Sequence, residues 1–149
     1  MSDVSLLEFA DKMNEIMPVI IKGFARRQSN ELYKGKITLP QFLILEVLNR
    51  EGEQKMSALA AIMCVSTAAV TGLVDRLVKY NYVVRVFDPA DRRIIRIKLT
   101  AGGLSLVRKV TQQRRQMILS IFGKISDTGR KDYLRILMQI KEILNQPGA

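Results

Sequence analysis

The sequence predicts a mainly α-helical fold that carries one small β-hairpin. Three observations predict it. Apolar residues recur at steps of three and four through long stretches at both chain ends, the spacing of one helix face. Two short segments near the middle, each opened by a serine, stand only a few residues apart, as short capped helices do. Between Arg93 and Leu99 the apolar period switches to two, the spacing of a half-buried strand.

Leu6, Phe9, Met13, Ile16, Ile20 and Phe24 define the first helix, over Val4–Gln28. Pro18 inside it is expected to kink or interrupt it, because proline removes a backbone donor and crowds the preceding turn. A polar loop over Ser29–Thr38 follows. Pro40 suits the first turn of a helix over Gln41–Asn49, ended by Gly52. Ser57 is expected to cap a short helix through Met63, and Ser66 a second one over Thr67–Tyr80. Two short helices this close make a helix-turn-helix pattern.

Tyr82–Phe87 and Arg93–Leu99 then read as two strands, the second with Ile95, Ile97 and Leu99 inward and Arg96 and Lys98 outward. The loop between them, Asp88–Arg92, has turn chemistry. A hairpin directly after a helix-turn-helix is a wing, so the predicted lobe is a winged helix-turn-helix. Thr100 caps a long helix to about Phe122, with Gly102 and Gly103 expected to interrupt its start. Ser126 or Asp127 caps the last helix, where Tyr133, Ile136, Leu137, Ile140, Ile143 and Leu144 form one stripe.

Charge narrows the function. Twenty-four Lys and Arg against fourteen Asp and Glu leave the 149-residue chain at +10, which points to a polyanionic partner such as nucleic acid or an anionic membrane surface. The excess concentrates around the hairpin: Arg76, Lys79, Arg85, Arg92, Arg93, Arg96 and Lys98 face only Asp88 and Asp91 as acidic neighbours between Arg76 and Lys98 once Asp75 is passed. Histidine is absent, which removes the usual general base and the commonest transition-metal ligand. No phosphate-binding glycine loop or nucleophile motif occurs. The reading is therefore not an enzyme, with no cofactor and no metal. No membrane span is expected, because no apolar run nears the ~18 residues required. The N-terminal segment has no basic start of a leader, so a cytoplasmic location is expected. Cys64 is the single cysteine, so no internal disulfide forms. It is read as a small buried residue rather than an oxidant sensor, and the methionines as mostly core.

With these elements in place, the chain resembles the MarR (multiple antibiotic resistance regulator) family. The run Asp91–Thr100 looks like that family's D-x-R…L-T wing signature. Val65–Leu77 looks like its recognition helix, and Thr38–Phe42 and the element order also match. The resemblance implies one unit over 1–149, with 1–35 and 101–146 supplying dimerisation helices and 38–100 the DNA-binding lobe. It implies a homodimer whose lobes bind a pseudo-palindrome in double-stranded DNA as a transcriptional regulator, read as a repressor.

On the recognition helix, Val70, Leu73, Val74 and Leu77 fall on one side, and Ala68, Thr71, Gly72, Asp75 and Lys79 on the other. Small residues let a helix lie deep in the major groove, where Ala and Thr methyls meet thymine methyls. An ordinary solvent face competes with this reading. Ser57, Ser66, Thr67 and Arg76 complete the candidate contacts of the two helices. Asp75 opposes phosphate and is expected to pair with Lys79 or a wing residue. By resemblance, Arg93 reaches the minor groove, oriented by Asp91, while Arg92 meets phosphate. A narrow A·T minor groove attracts such a guanidinium. Also by resemblance, a crevice for a small aromatic or lipophilic anion as effector is expected, lined by Met17, Phe24, Tyr33 and Phe42 with Arg27 as counter-charge; core packing explains these residues equally well. A winged-helix module for protein or RNA contacts, without operator specificity, remains the alternative.

Overall fold

The computed structural model describes residues 4–27 and 36–147. Its elements are α1 (Leu6–Arg27), α2 (Leu39–Glu51), β1 (Gln54–Lys55), α3 (Met56–Met63), α4 (Thr67–Lys79), β2 (Val83–Phe87), β3 (Ile95–Leu99), α5 (Ala101–Phe122) and α6 (Asp127–Leu144). The chain divides into two compact units, 1–113 and 114–149.

Side-chain caps set most helix starts. The Ser5 hydroxyl accepts from the Glu8 amide at 3.2 Å, and Glu8 pairs with Lys12 one turn on. Helix α1 continues through Pro18 without a break. The missing donor and the crowded preceding turn are accommodated within a helix of 22 residues. Thr38 opens α2 with a capping box: its hydroxyl accepts from the Gln41 amide at 3.5 Å and its own amide donates to Gln41 Oε1 at 2.7 Å. Pro40 sits in the first turn and Gly52, at φ 80°, closes the end. Ser66 caps α4 through the Ala69 amide, and Ser126 caps α6 through the Gly129 amide, each at 3.1 Å.

Ser57 is not a cap. Helix α3 starts at Met56, its N-cap residue is Lys55, and no side chain caps it. The reason is tertiary: Gln54 and Lys55 pair with Ile97 and Arg96 of β3, so the chain enters α3 directly from a strand. Cys64 is not buried either. It ends α3 in the left-handed region at φ 54° and is exposed. A residue turning the chain at a helix end projects away from the packed face.

Strand β3 is central, with β1 and β2 antiparallel on either side. The lobe core gathers Phe42, Leu45 and Leu48 of α2, Leu59 of α3, Val70, Val74 and Leu77 of α4, Val83, Ile97, and Leu106 and Val110 of α5. Of the inward trio expected on β3, Ile97 is buried and Leu99 half-buried, but Ile95 is exposed. It pairs with Phe87 at the outer end of the hairpin, beyond the reach of the core.

Gly102 and Gly103 do not interrupt α5, which runs from Ala101. The Thr100 hydroxyl accepts from the Gly103 amide at 3.0 Å and donates to the Asn81 carbonyl at 2.6 Å. Gly103 is required by close approach: a Cβ there would stand 2.1 Å from the Tyr82 carbonyl oxygen. That carbonyl already accepts from the Thr100 amide, so it cannot move freely. Gly103→Ala is therefore expected to destabilise the lobe by about 1–3 kcal/mol. Gly102→Ala, whose Cβ would meet nothing closer than 3.5 Å, should be neutral or stabilising by up to ~1 kcal/mol. Urea denaturation of the two variants side by side checks this; equal stabilities would refute the close approach.

Candidate nucleic-acid interface

Helix α4 presents two unlike sides. Val70, Val74 and Leu77 are buried in the lobe core and Leu73 half-buried. Thr67, Ala68, Gly72, Asp75 and Lys79 are exposed, and Thr71 is half-buried. The Thr71 hydroxyl donates to the Thr67 carbonyl at 2.8 Å, so it is spent on its own helix. The Ser66 hydroxyl is spent on the cap. Ser57 is exposed in the first turn of α3. The face is thus small-sided and uncluttered.

Asp75 does not pair with Lys79. Its carboxylate accepts from Arg85 on β2, the second of the two expected arrangements. This neutralises the one acidic group on the exposed side of α4 and ties that helix to the wing. Arg76 turns out to be engaged within the lobe: its Nε donates to the Lys36 carbonyl at 3.3 Å, and its guanidinium lies 6.0 Å from the centre of the Tyr80 ring.

At the wing tip, Arg93 is fixed by Asp91. Nε and Nη2 of Arg93 donate to the two oxygens of Asp91 at 3.1 and 3.0 Å, and the Arg93 amide donates to Asp91 Oδ1 at 3.0 Å. The Arg93 side chain is nonetheless 90% exposed. Hydrogen bonds from the Arg93 side chain, then its amide, hold the Asp91 carboxyl below the usual carboxylate range, and Asp91 in turn raises Arg93. A carboxylate with a lowered folded-state value keeps its stabilising contribution above its ordinary range and loses it as the pH falls through the lowered value. The pair is therefore intact at neutral pH. Arg92 beside it is exposed.

A second carboxylate lies at the base of the loop. Asp88 accepts from Arg96 Nε at 2.5 Å and from the Ala90 amide at 2.9 Å. Those bonds, Arg96 first, hold it below the usual range. The sequence places Asp88 in the turn and Arg96 on the outward side of the strand without pairing them. The available signal was the hairpin register: Val86 lies opposite Arg96, which puts Asp88 diagonally across on the same face.

The residues expected to line an effector crevice differ in exposure. Met17 and Arg27 are exposed on α1 and Phe24 is half-buried. Phe42 is wholly buried and packs in the lobe core rather than lining an opening. Tyr33 lies outside the described residues, as do Gln28 and most of the loop that follows it. Among the described residues no group of three or more acidic, Cys or His side chains could hold a metal ion. No single described helix is long and apolar enough to cross a membrane.

The MarR family model matches residues 37–95, from two residues before α2 to the first residue of β3. The HTH-type transcriptional regulator YsmB of Bacillus subtilis is 32% identical over 122 residues, covering 82% of each chain. The chain belongs to the MarR family. The HTH-type transcriptional regulator FarR of Neisseria gonorrhoeae is 30% identical over 117 residues, 76% of this chain and 80% of that one. In fold, a MarR family protein from Bacillus stearothermophilus matches with a TM-score of 0.82 at 23% identity, over 95% of this chain and 99% of that one. As a MarR family member the protein is a DNA-binding transcriptional regulator with a winged helix-turn-helix, and its relatives are regulators rather than enzymes.

Proposed function

We propose that the chain works as a homodimeric repressor on a pseudo-palindromic operator, with α4 in the major groove and the β2–β3 wing in the flanking minor groove. The observation that carries this reading is Arg93: an almost fully exposed guanidinium held in one orientation by a bidentate Asp91. A solvated tip has no need of a fixed cation, whereas a minor groove rewards one. The exposed small side of α4, with Asp75 neutralised by Arg85, supports the major-groove half. The exposed apolar stripes of α1 and α6 support the dimer. A dimer seated across a promoter represses by occlusion. Release by a small aromatic or lipophilic anion would act through α1, where Met17 and Phe24 offer apolar surface and Arg27 charge.

Selection of duplexes from a random-sequence pool by the full-length protein tests this. The expected product is an inverted repeat whose half-sites lie about 10 base pairs apart, or a multiple of that. Enrichment of no sequence at all would favour the protein- or RNA-contact alternative. On the selected duplex, Arg93→Ala should weaken binding by about 1–3 kcal/mol, as loss of a good groove contact does. The slope of log affinity against log salt should become shallower by about one unit for each engaged lobe. Fluorescence anisotropy at several salt concentrations reads both. Unchanged affinity and slope would remove the wing from the interface.

A further inference from the structure

Among the seven cations in and around the wing, Arg96 has its charge committed to a nearly buried carboxylate. Arg96, the second residue of the central strand β3, stands between Lys55 of β1 and Val86 of β2 in register. Two cations opposite one another across a ladder repel. The Asp88 carboxylate offsets this: Oδ2 accepts from Arg96 Nε at 2.5 Å, and the Asp88 side chain is only 9% exposed. The other carboxylate oxygen takes the Ala90 amide at 2.9 Å. From there the bonds run on into the tip. The Asp88 amide donates to the Ile94 carbonyl at 2.8 Å, and the Ile94 amide to the Asp91 carbonyl at 3.0 Å. Asp91 then holds Arg93. One continuous set of hydrogen bonds leads from Arg96 to the exposed guanidinium of Arg93.

We propose that Arg96 is a positioning residue for DNA binding: through Asp88 it fixes the loop that presents Arg93, and it does not itself touch DNA. This rests on the wing reading above. It also separates Arg96 from Arg92 and Arg93, which charge counting treats alike. Without Arg96 the nearly buried Asp88 carboxylate keeps only backbone amide donors and loses its counter-charge, and a buried charge without its partner is relieved by opening the structure around it. The loop would then hold Arg93 in many orientations, and the ordering would have to be supplied on binding.

A double-mutant cycle on the selected duplex distinguishes the two roles. Arg96→Ala in the otherwise unchanged full-length protein is expected to weaken binding about tenfold, within the range of one lost groove contact. In the Arg93→Ala background the same change should cost less than about twofold, because the residue it positions is gone. A direct phosphate contact would cost the same factor in both backgrounds, and that additivity overturns the proposal. The free protein gives an independent readout: hydrogen exchange at the Ala90 and Ile94 amides should accelerate in Arg96→Ala, while amides in the lobe core stay protected. Unchanged exchange at those two amides also overturns it. If Arg96→Ala fails to fold, Arg96→Gln, which keeps a neutral amide donor group but not the charge, carries the same cycle with a smaller first step. Loss of any Arg93→Ala effect would instead sink the wing reading itself, and is recognisable because the cycle then has no first leg.

Discussion

Gly72→Glu is expected to abolish specific DNA binding while leaving the protein folded and slightly more stable. Gly72 is exposed in the middle of α4, and a Cβ added there would meet nothing within 4 Å. The free protein therefore accommodates a larger side chain without strain. Replacing a glycine inside a helix also removes a propensity penalty of about 1 kcal/mol. The cost arises only against DNA. A glutamate at the centre of the exposed side would put bulk and negative charge where the helix must approach base edges between two phosphate chains. Arg85 is already the partner of Asp75, so that wing cation is not free to offset a second carboxylate on this side. A loss of at least about 3 kcal/mol, more than a hundredfold, is expected. Gly72→Ala adds one methyl and should keep affinity within a few-fold while raising thermal stability. Anisotropy on the selected duplex and thermal denaturation, run on both variants, separate groove from fold. If Gly72→Glu binds as the parent does, α4 does not lie in the groove.

What could be read beforehand follows the range over which each determinant acts. The stripes of α1 and α6, the Ser66 cap, the period switch into β3 and the D-x-R turn are set by residues a few positions apart, and each is where the sequence places it. Most of the differences arise from tertiary contacts. Ser57 has the right chemistry for a cap, but β1 forms by pairing with a strand some 40 residues away and carries the helix start past it. Strand β1 itself has two residues, too few to show a period. Ile95 alternates correctly, yet the hairpin outruns the core beneath it. Gly103 looks like a helix breaker, whereas its role is to admit the Tyr82 carbonyl. Cys64 is apolar enough for a core, but its backbone conformation turns it outward. At the site, Asp91 and Arg93 were legible because they are neighbours in a motif. Asp88–Arg96 and Asp75–Arg85 were not, since both depend on which residues the hairpin register and the helix packing bring together.

Removing the apolar stripe of α6 should separate the dimer. Ile136, Leu137, Ile140, Ile143 and Leu144 are all between 41 and 72% exposed in the single chain, and α6 buries no residue within it. Helix α1 likewise buries none, although Leu6, Phe9, Ile16 and Ile20 share one face. Each such side chain gains roughly 1.5–3 kcal/mol when fully buried, so a chain that kept both helices in water would forgo the burial that these two stripes offer. The full-length protein should therefore run at twice 16.9 kDa in light scattering, and its unfolding midpoint should rise with protein concentration, as linkage to association requires. Ile140→Asp places a charge in the middle of the stripe. Because α6 has no buried position in the isolated chain, the aspartate costs nothing there and several kcal/mol in an interface. The variant should scatter as a monomer at micromolar concentration, keep a folded winged lobe by circular dichroism, and lose most of its affinity for an inverted repeat while retaining weak binding to one half-site. A parent chain that is a stable folded monomer at micromolar concentration, or an Ile140→Asp variant that remains dimeric, would rule out an interface built on α6 and with it the two-lobed grip on DNA.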